Sequence, residues 1–244
     1  MDHFSRIAAG YAAYRPTYPA AVVDLLAELA PGRDLVWDSG CGSGQLSVLL
    51  ASRFARVIAT DASAEQIARG RTHPRVEYRR ALAEASGLPD AGVDLAVSAQ
   101  AAHWFDLPGY YAELRRVGRP GAIVAMLTYG RMRVDADIDP LIERFYDGVL
   151  GKYWPPERRF VEDGYRSLPF PFDDISVPPL EMREQWALPA VLGYVDTWSA
   201  TVALERALGR GPIEAFQRDL GGVWGPAAAV RSVHWDLTLR VGRL

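Results

Sequence analysis

Asp38-Ser39-Gly40-Cys41-Gly42-Ser43-Gly44, directly after the apolar run Leu35-Val36-Trp37, decides the fold of this chain. An apolar strand, glycines at alternate positions, and then a helical pattern (Leu46, Val48, Leu49, Leu50) describe a loop that cradles a nucleotide-type cofactor. Glycine suits such a loop because the turn takes positive φ and because a side chain would keep the backbone from the ligand. A dinucleotide loop of the G-x-G-x-x-G kind places its third glycine at position 45, where this chain has Gln45. It also seats an anionic pyrophosphate at the helix N-terminus, and a carboxylate at Asp38 repels that group. A ligand that is cationic at this end fits instead. S-adenosylmethionine (SAM) carries an ammonium and a sulfonium and no phosphate, and it is the cofactor this loop points to.

Strand and helix patterns alternate on either side of the loop. Pro19 to Ala30 reads as an amphipathic helix closed by Pro31-Gly32. Strands are expected at 35–38, 56–60, 76–80, 93–98 and 122–128, with helices at 44–53 and 108–117 and Ser63 capping a further helix. Short apolar strands separated by helices argue for an α/β fold whose parallel sheet is covered on both faces. Ligands then bind beyond the carboxyl ends of the strands. After Thr128 the alternation breaks, and residues 130–172, rich in aromatics, arginine and proline, read as an inserted lid with one helix near 139–150. Alternation returns at Val233, Trp235, Leu237, Leu239 and Val241, one face of a strand. The expectation is a single domain over 1–244, with 1–30 as an N-terminal cap.

Composition narrows the function classes. With 244 residues, 49% of them hydrophobic, one full core is within reach. A net charge of −3 gives no reason to expect a nucleic-acid or membrane partner. Cys41 is the only cysteine, which excludes an internal disulfide and a cysteine-based metal site; no metal is expected. The N-terminus lacks a signal pattern and no apolar run reaches membrane-spanning length, so a cytoplasmic location is expected.

Asp61, at the end of the second strand and 17 residues after Gly44, is placed to accept both ribose hydroxyls of a nucleoside, with Ala62 beside it. Leu82 and Ala83, after the third strand, would flank an adenine ring. His103, Trp104 and Phe105 follow the fourth strand at the mouth of the expected pocket. Near the N-terminus Tyr11, Tyr14, Arg15 and Tyr18 cluster, with Arg15 able to face a carboxylate of the cofactor. Tyr129 and Trp198 are candidate walls of a substrate chamber, together with Tyr11 and Trp104.

These residues together resemble the class I SAM-dependent methyltransferases: the Asp38-x-Gly-x-Gly-x-Gly44 loop, Asp61 and the Leu88-Pro89-Asp90…Asp94 segment carry the likeness. Tyr14-Arg15-Pro16-Thr17-Tyr18-Pro19, Ala99-Gln100-Ala101-Ala102-His103-Trp104-Phe105-Asp106 and Arg115 to Gly121 resemble the trans-aconitate methyltransferase-like group. The resemblance implies a Rossmann-like three-layer sandwich with a seven-stranded sheet, its last strand antiparallel. It further implies that Asp38, Gly40 and Gly42 meet the methionine half of SAM, Asp61 the ribose, Ala83 the adenine and Gln100 the sulfonium side. Many relatives carry Asp where Leu82 stands, so adenine would be held here by backbone and packing alone.

Methyl transfer from a sulfonium is an in-line displacement, and holding the reacting atoms collinear in a dry pocket is the protein's main task. The acceptor is expected to be a small molecule methylated on a carboxylate, a hydroxyl or a ring nitrogen. His103 is the candidate to orient or deprotonate it. Other readings stay open: an NAD-dependent oxidoreductase, disfavoured by Gln45 and Asp38, and a SAM-binding protein that transfers no methyl. A nucleic-acid methyltransferase ranks last for want of a basic face. Monomer and homodimer are equally compatible with the sequence.

Overall fold

The structure is a computed structural model and describes residues 14–244. Its sheet has eight strands in the order β3-β2-β1-β4-β5-β8-β6, with β7 also paired to β8. The first five are β1 (Leu35–Ser39), β2 (Arg56–Asp61), β3 (Val76–Arg80), β4 (Val93–Ala99) and β5 (Gly118–Tyr129). They are all parallel, so their carboxyl ends lie along one edge. β8 (Val230–Arg243) runs antiparallel to β5, pairing Ile123 with Arg243 and Tyr129 with Leu237. β6 (Asp173–Ile175) and β7 (Leu180–Ala187) are strands that sequence alternation did not announce; with the six it did they make eight, one more than the seven the resemblance implied.

The apolar runs become central strands because helices cover both faces. Val36, Trp37, Val57, Ile58, Leu95 and Val97 are all buried, as parallel strands require. Helix α1 (Ala20–Leu29) turns Val22, Val23 and Leu26 inward and packs on β5 and on α2 (Gln45–Leu50). Helix α3 (Ala64–Ala68) starts at Ser63, whose side chain accepts from the Gln66 N–H. Helix α4 (Leu107–Val117) buries Tyr110, Leu114 and Val117. One fully buried carboxylate fastens the entry of β1 to β4: Asp94 accepts from the Asp34 and Leu35 N–H groups, both at 2.9 Å, and pairs with Arg119 at 2.6 Å.

The chain divides into two compact units. One holds Tyr18–Gly130, Arg159–Glu181 and Asp236–Leu244, and so the five parallel strands. The other holds the described residues up to Thr17, Arg131–Arg158 and Met182–Trp235. The segment read as a lid, 130–172, is thus shared: 131–158 lies in the second unit and 159–172 in the first. The helix expected near 139–150 is α-helical only over Asp139–Glu143 and continues as a π-helix over Arg144–Val149, with Leu150 N–H donating to the Phe145 carbonyl at 2.9 Å. Helices Leu188–Asp196, Ser199–Leu208 and Gly211–Trp224 complete the second unit, where Phe145 stacks on Phe216. Of the proposed cap, 1–13 lie outside the described residues and α1 belongs to the first unit.

Candidate functional site

The glycine loop is folded back onto β2. The Gly40 and Cys41 N–H groups both donate to the Thr60 carbonyl, at 2.8 and 2.9 Å, and Gly44 N–H closes the turn on the Cys41 carbonyl. Gly40, Gly42 and Gly44 all have positive φ. Two of them are also demanded by packing. A Cβ at Gly40 would stand 2.5 Å from the Ala101 Cβ, and one at Gly44 would stand 1.9 Å from the Tyr78 hydroxyl. At Gly42 the nearest atom would be Gln66 Oε1 at 3.9 Å, so this glycine faces open space and owes its identity to conformation. A cradle of this kind leaves room for a ligand against the backbone.

Two carboxylates flank the loop. Asp38 is buried at the end of β1; its Oδ2 accepts from the Ser47 hydroxyl at 2.5 Å, while Oδ1 has no hydrogen-bond partner among the described residues. Burial pushes its carboxyl up to about 7, with the charge of Asp61 adding to the rise and the Ser47 hydrogen bond opposing it. A buried acceptor without a donor is costly, and a cationic donor would relieve it. Asp61 is half-buried and already tied into the loop: Oδ2 accepts from Gly42 N–H at 2.9 Å and Oδ1 from Ser63 N–H at 2.8 Å. Each oxygen keeps a second lone pair for a ligand hydroxyl. Ala62 is exposed and its carbonyl accepts from Arg80 Nε. Burial, Asp38 and Asp61 together push the Cys41 thiol up, which makes it inert as a nucleophile.

Beyond β3, Leu82 is 52% exposed and Ala83 is buried, one residue presenting an apolar face and the next packing beneath it. Beyond β4, Gln100 takes a left-handed conformation, φ +55, rare for a residue with a side chain. Its amide is engaged by the end of β5: Nε2 donates to the Tyr129 carbonyl at 2.8 Å and Oε1 accepts from the Thr128 hydroxyl at 3.0 Å. Tyr129 is buried with its ring edge on Tyr18. The 3₁₀ turn Ala102–Trp104 then presents His103, half-buried, and Trp104, 58% exposed. His103 Nδ1 lies 2.7 Å from the Tyr165 hydroxyl.

The structure therefore brings the expected residues from 38 to 129 to the carboxyl ends of the parallel strands within one unit. Arg15 and Trp198 belong to the other unit. There Arg15 Nη2 donates to the Thr197 carbonyl at 3.4 Å and its guanidinium lies over the Tyr194 ring, and Trp198 is buried against Tyr146, Trp154 and Tyr194. Tyr11 lies outside the described residues. Four supporting residues escaped the sequence reading: Ser47, which holds Asp38; Thr60, which takes the loop amides and the Trp37 indole; Tyr78, which fills the space beside Gly44; and Tyr165. Thr60 and Tyr78 stood in identified strands and Ser47 in an expected helix, but nothing in the sequence marked their contacts with the loop. Among the described residues no group of three or more His, Cys, Asp or Glu is arranged to hold a metal ion, and no helix is long and apolar enough to cross a membrane.

Residues 37–126 match a family model described as a methyltransferase domain. A protein of Dictyostelium discoideum, a methyltransferase by name, is 33% identical over 210 residues, covering 84% of this chain and 80% of that protein. A solved structure of a type II methyltransferase, so named, from Anaeromyxobacter dehalogenans is 49% identical with a TM-score of 0.89, over 94% of this chain and 98% of that one. A malonyl-[acyl-carrier protein] O-methyltransferase of Pectobacterium atrosepticum is 38% identical over 95 residues, and this chain spans only 38% of its length.

Proposed function

We propose that this chain, which belongs to the class I SAM-dependent methyltransferases, methylates a small-molecule acceptor, with the two units acting as one catalytic domain. The observation that carries the cofactor end of this reading is Asp38 Oδ1: a buried carboxylate oxygen with no donor among the described residues, at the lip of a loop whose Gly42 faces open space. Those residues fit an amino-acid ammonium. In this reading Asp38 and the Gly40–Gly42 backbone hold the methionine half, Asp61 the ribose hydroxyls, Leu82 and Ala83 the adenine, and the Gln100 backbone the sulfonium side.

When bound, the cofactor supplies a methyl group on an already activated leaving group. The chain's share of the work is positioning and exclusion of water, worth up to ~7–11 kcal/mol when two reactants are well oriented. His103 is the group that contacts the acceptor, orienting or deprotonating it, with Trp104 and Tyr129 as apolar wall. Support for a small acceptor comes from the absence of a basic excess, the net charge being −3. The O-methyltransferase relative acts on an oxygen, which places carboxylic acids first among acceptors to be screened.

Isothermal titration with SAM, S-adenosylhomocysteine and NAD tests the cofactor: the first two bind and NAD does not. A sample that binds NAD, or neither sulfur compound, overturns the assignment of Asp38 and the glycine loop. A panel of small acids, phenols and aromatic heterocycles with methyl-labelled SAM then tests transfer. On an acceptor found this way, His103→Ala lowers kcat by about a hundredfold or more; full activity would remove His103 from the reaction.

A further inference from the structure

We infer that Tyr165 is a positioning residue that holds His103 as its neutral Nε2–H tautomer, so that His103 meets the acceptor as a hydrogen-bond donor and not as a base. This rests on the reading of His103 as the acceptor-contacting group, and it adds the residue that decides what His103 can do there.

Tyr165 occupies a position that packing alone would not select. It is fully buried, yet its φ is +61, and it follows Gly164 at φ +65. A left-handed residue with a Cβ is strained, and such strain persists only where the surroundings over-determine it. Here they do. Tyr165 N–H donates to the Phe160 carbonyl at 2.7 Å, and Arg240 Nη1 donates to the carbonyls of Tyr165 and Leu168 at 2.9 and 2.7 Å. A Cβ at Gly164 would stand 2.9 Å from the Thr238 hydroxyl, so the turn is pressed onto β8. The outcome of this arrangement is the placement of one phenol: its oxygen lies 2.7 Å from His103 Nδ1, across 62 residues of sequence, with the two rings 5.8 Å apart and tilted by 46°.

In a neutral imidazole one nitrogen carries the proton and the other accepts, and the partner at one nitrogen selects the tautomer. A phenolic O–H is a strong donor, whereas a phenolic oxygen accepts weakly because its lone pair is drawn into the ring. The pair is therefore O–H of Tyr165 to bare Nδ1, which leaves the proton of His103 on Nε2. A base requires the reverse, a bare Nε2. Tyr165 thus commits His103 to donating, a role that orients an acceptor oxygen with lone pairs to spare.

Long-range ¹H–¹⁵N correlation spectra of the whole chain, at a pH where the imidazole is neutral, read the tautomer directly. The His103 resonances are assigned as those lost in His103→Gln. Wild type shows the proton on Nε2; Tyr165→Phe, which keeps the ring in its strained site but lacks the hydroxyl, shows a mixture of the two tautomers. Unchanged affinity of this variant for S-adenosylhomocysteine verifies its fold, and should it not fold, the wild-type spectrum decides alone. A wild-type proton on Nδ1, or the same single tautomer in wild type and Tyr165→Phe, overturns the inference. Methyl transfer by His103→Ala speaks only to the underlying role of His103, so the two can fail separately.

Discussion

If Asp38 holds the cofactor's ammonium as proposed, cofactor affinity becomes a function of pH. Burial raises its carboxyl from 3.8 to about 7, helped by the charge of Asp61 and opposed by Ser47. Below about 7 the free protein therefore holds a proton on this group, and a cationic amine binds the ionised form, so binding must expel that proton. The dissociation constant of S-adenosylhomocysteine then falls about tenfold per pH unit from about pH 5 to about pH 7 and levels off above. Over those two units the gain is about a hundredfold, or ~2.7 kcal/mol. Titration calorimetry in two buffers of different ionisation enthalpy counts the proton released. Asp38→Asn weakens binding and flattens the curve. A wild-type affinity that stays constant over this range, with no proton released, refutes the argument. The unliganded fold shows the opposite slope: the folded state keeps a proton that the unfolded chain has lost above 3.8. Stability accordingly falls as pH rises from about 4 to about 7, by ~4 kcal/mol from this one group.

Other substitutions separate packing from conformation. Gly44→Ala drives a Cβ into the Tyr78 ring and loses about 3 kcal/mol or more in chemical denaturation, while Gly42→Ala meets nothing closer than 3.9 Å and loses only the ~1–2 kcal/mol of a left-handed Cβ. Equal losses at the two sites would show that the Tyr78 contact contributes nothing. Asp94→Ala strands the Asp34 and Leu35 N–H groups, while Arg119 keeps the Gly92 carbonyl and Asp34, and costs about 2–4 kcal/mol of unfolding free energy in chemical denaturation.

Much of the sheet was legible because parallel strands leave a strong trace. Val36-Trp37, Val57 to Ala59 and Ile123 to Leu127 are buried on both faces, so their apolar runs are continuous and end where the sheet ends. Leu180, Met182 and Trp186 carry the alternation of β7, but Glu184 stands in their row and interrupts it. The π-helix after Glu143 has no sequence mark, since a slip from i+4 to i+5 bonding leaves the apolar spacing nearly unchanged. Asp38 and the glycines could be read because a chemical type recurs at a fixed spacing. Tyr165 could not: it lies 62 residues from the histidine it holds, and a tyrosine after a glycine announces neither its φ nor its partner. Gln100 is similar, since nothing local says that its amide is spent on Thr128 and Tyr129.

β8 lies between β5 and β6, although it comes last of the strands to be synthesised. While a ribosome is still making residues 130–229, β5 has a partner on one side only, and its other edge presents Ile123 to Leu127 bare. An open edge of apolar residues is a site for association with other nascent chains. The β5 edge therefore closes only once residues 230–243 have emerged, and until then it is the side of the sheet open to a wrong partner.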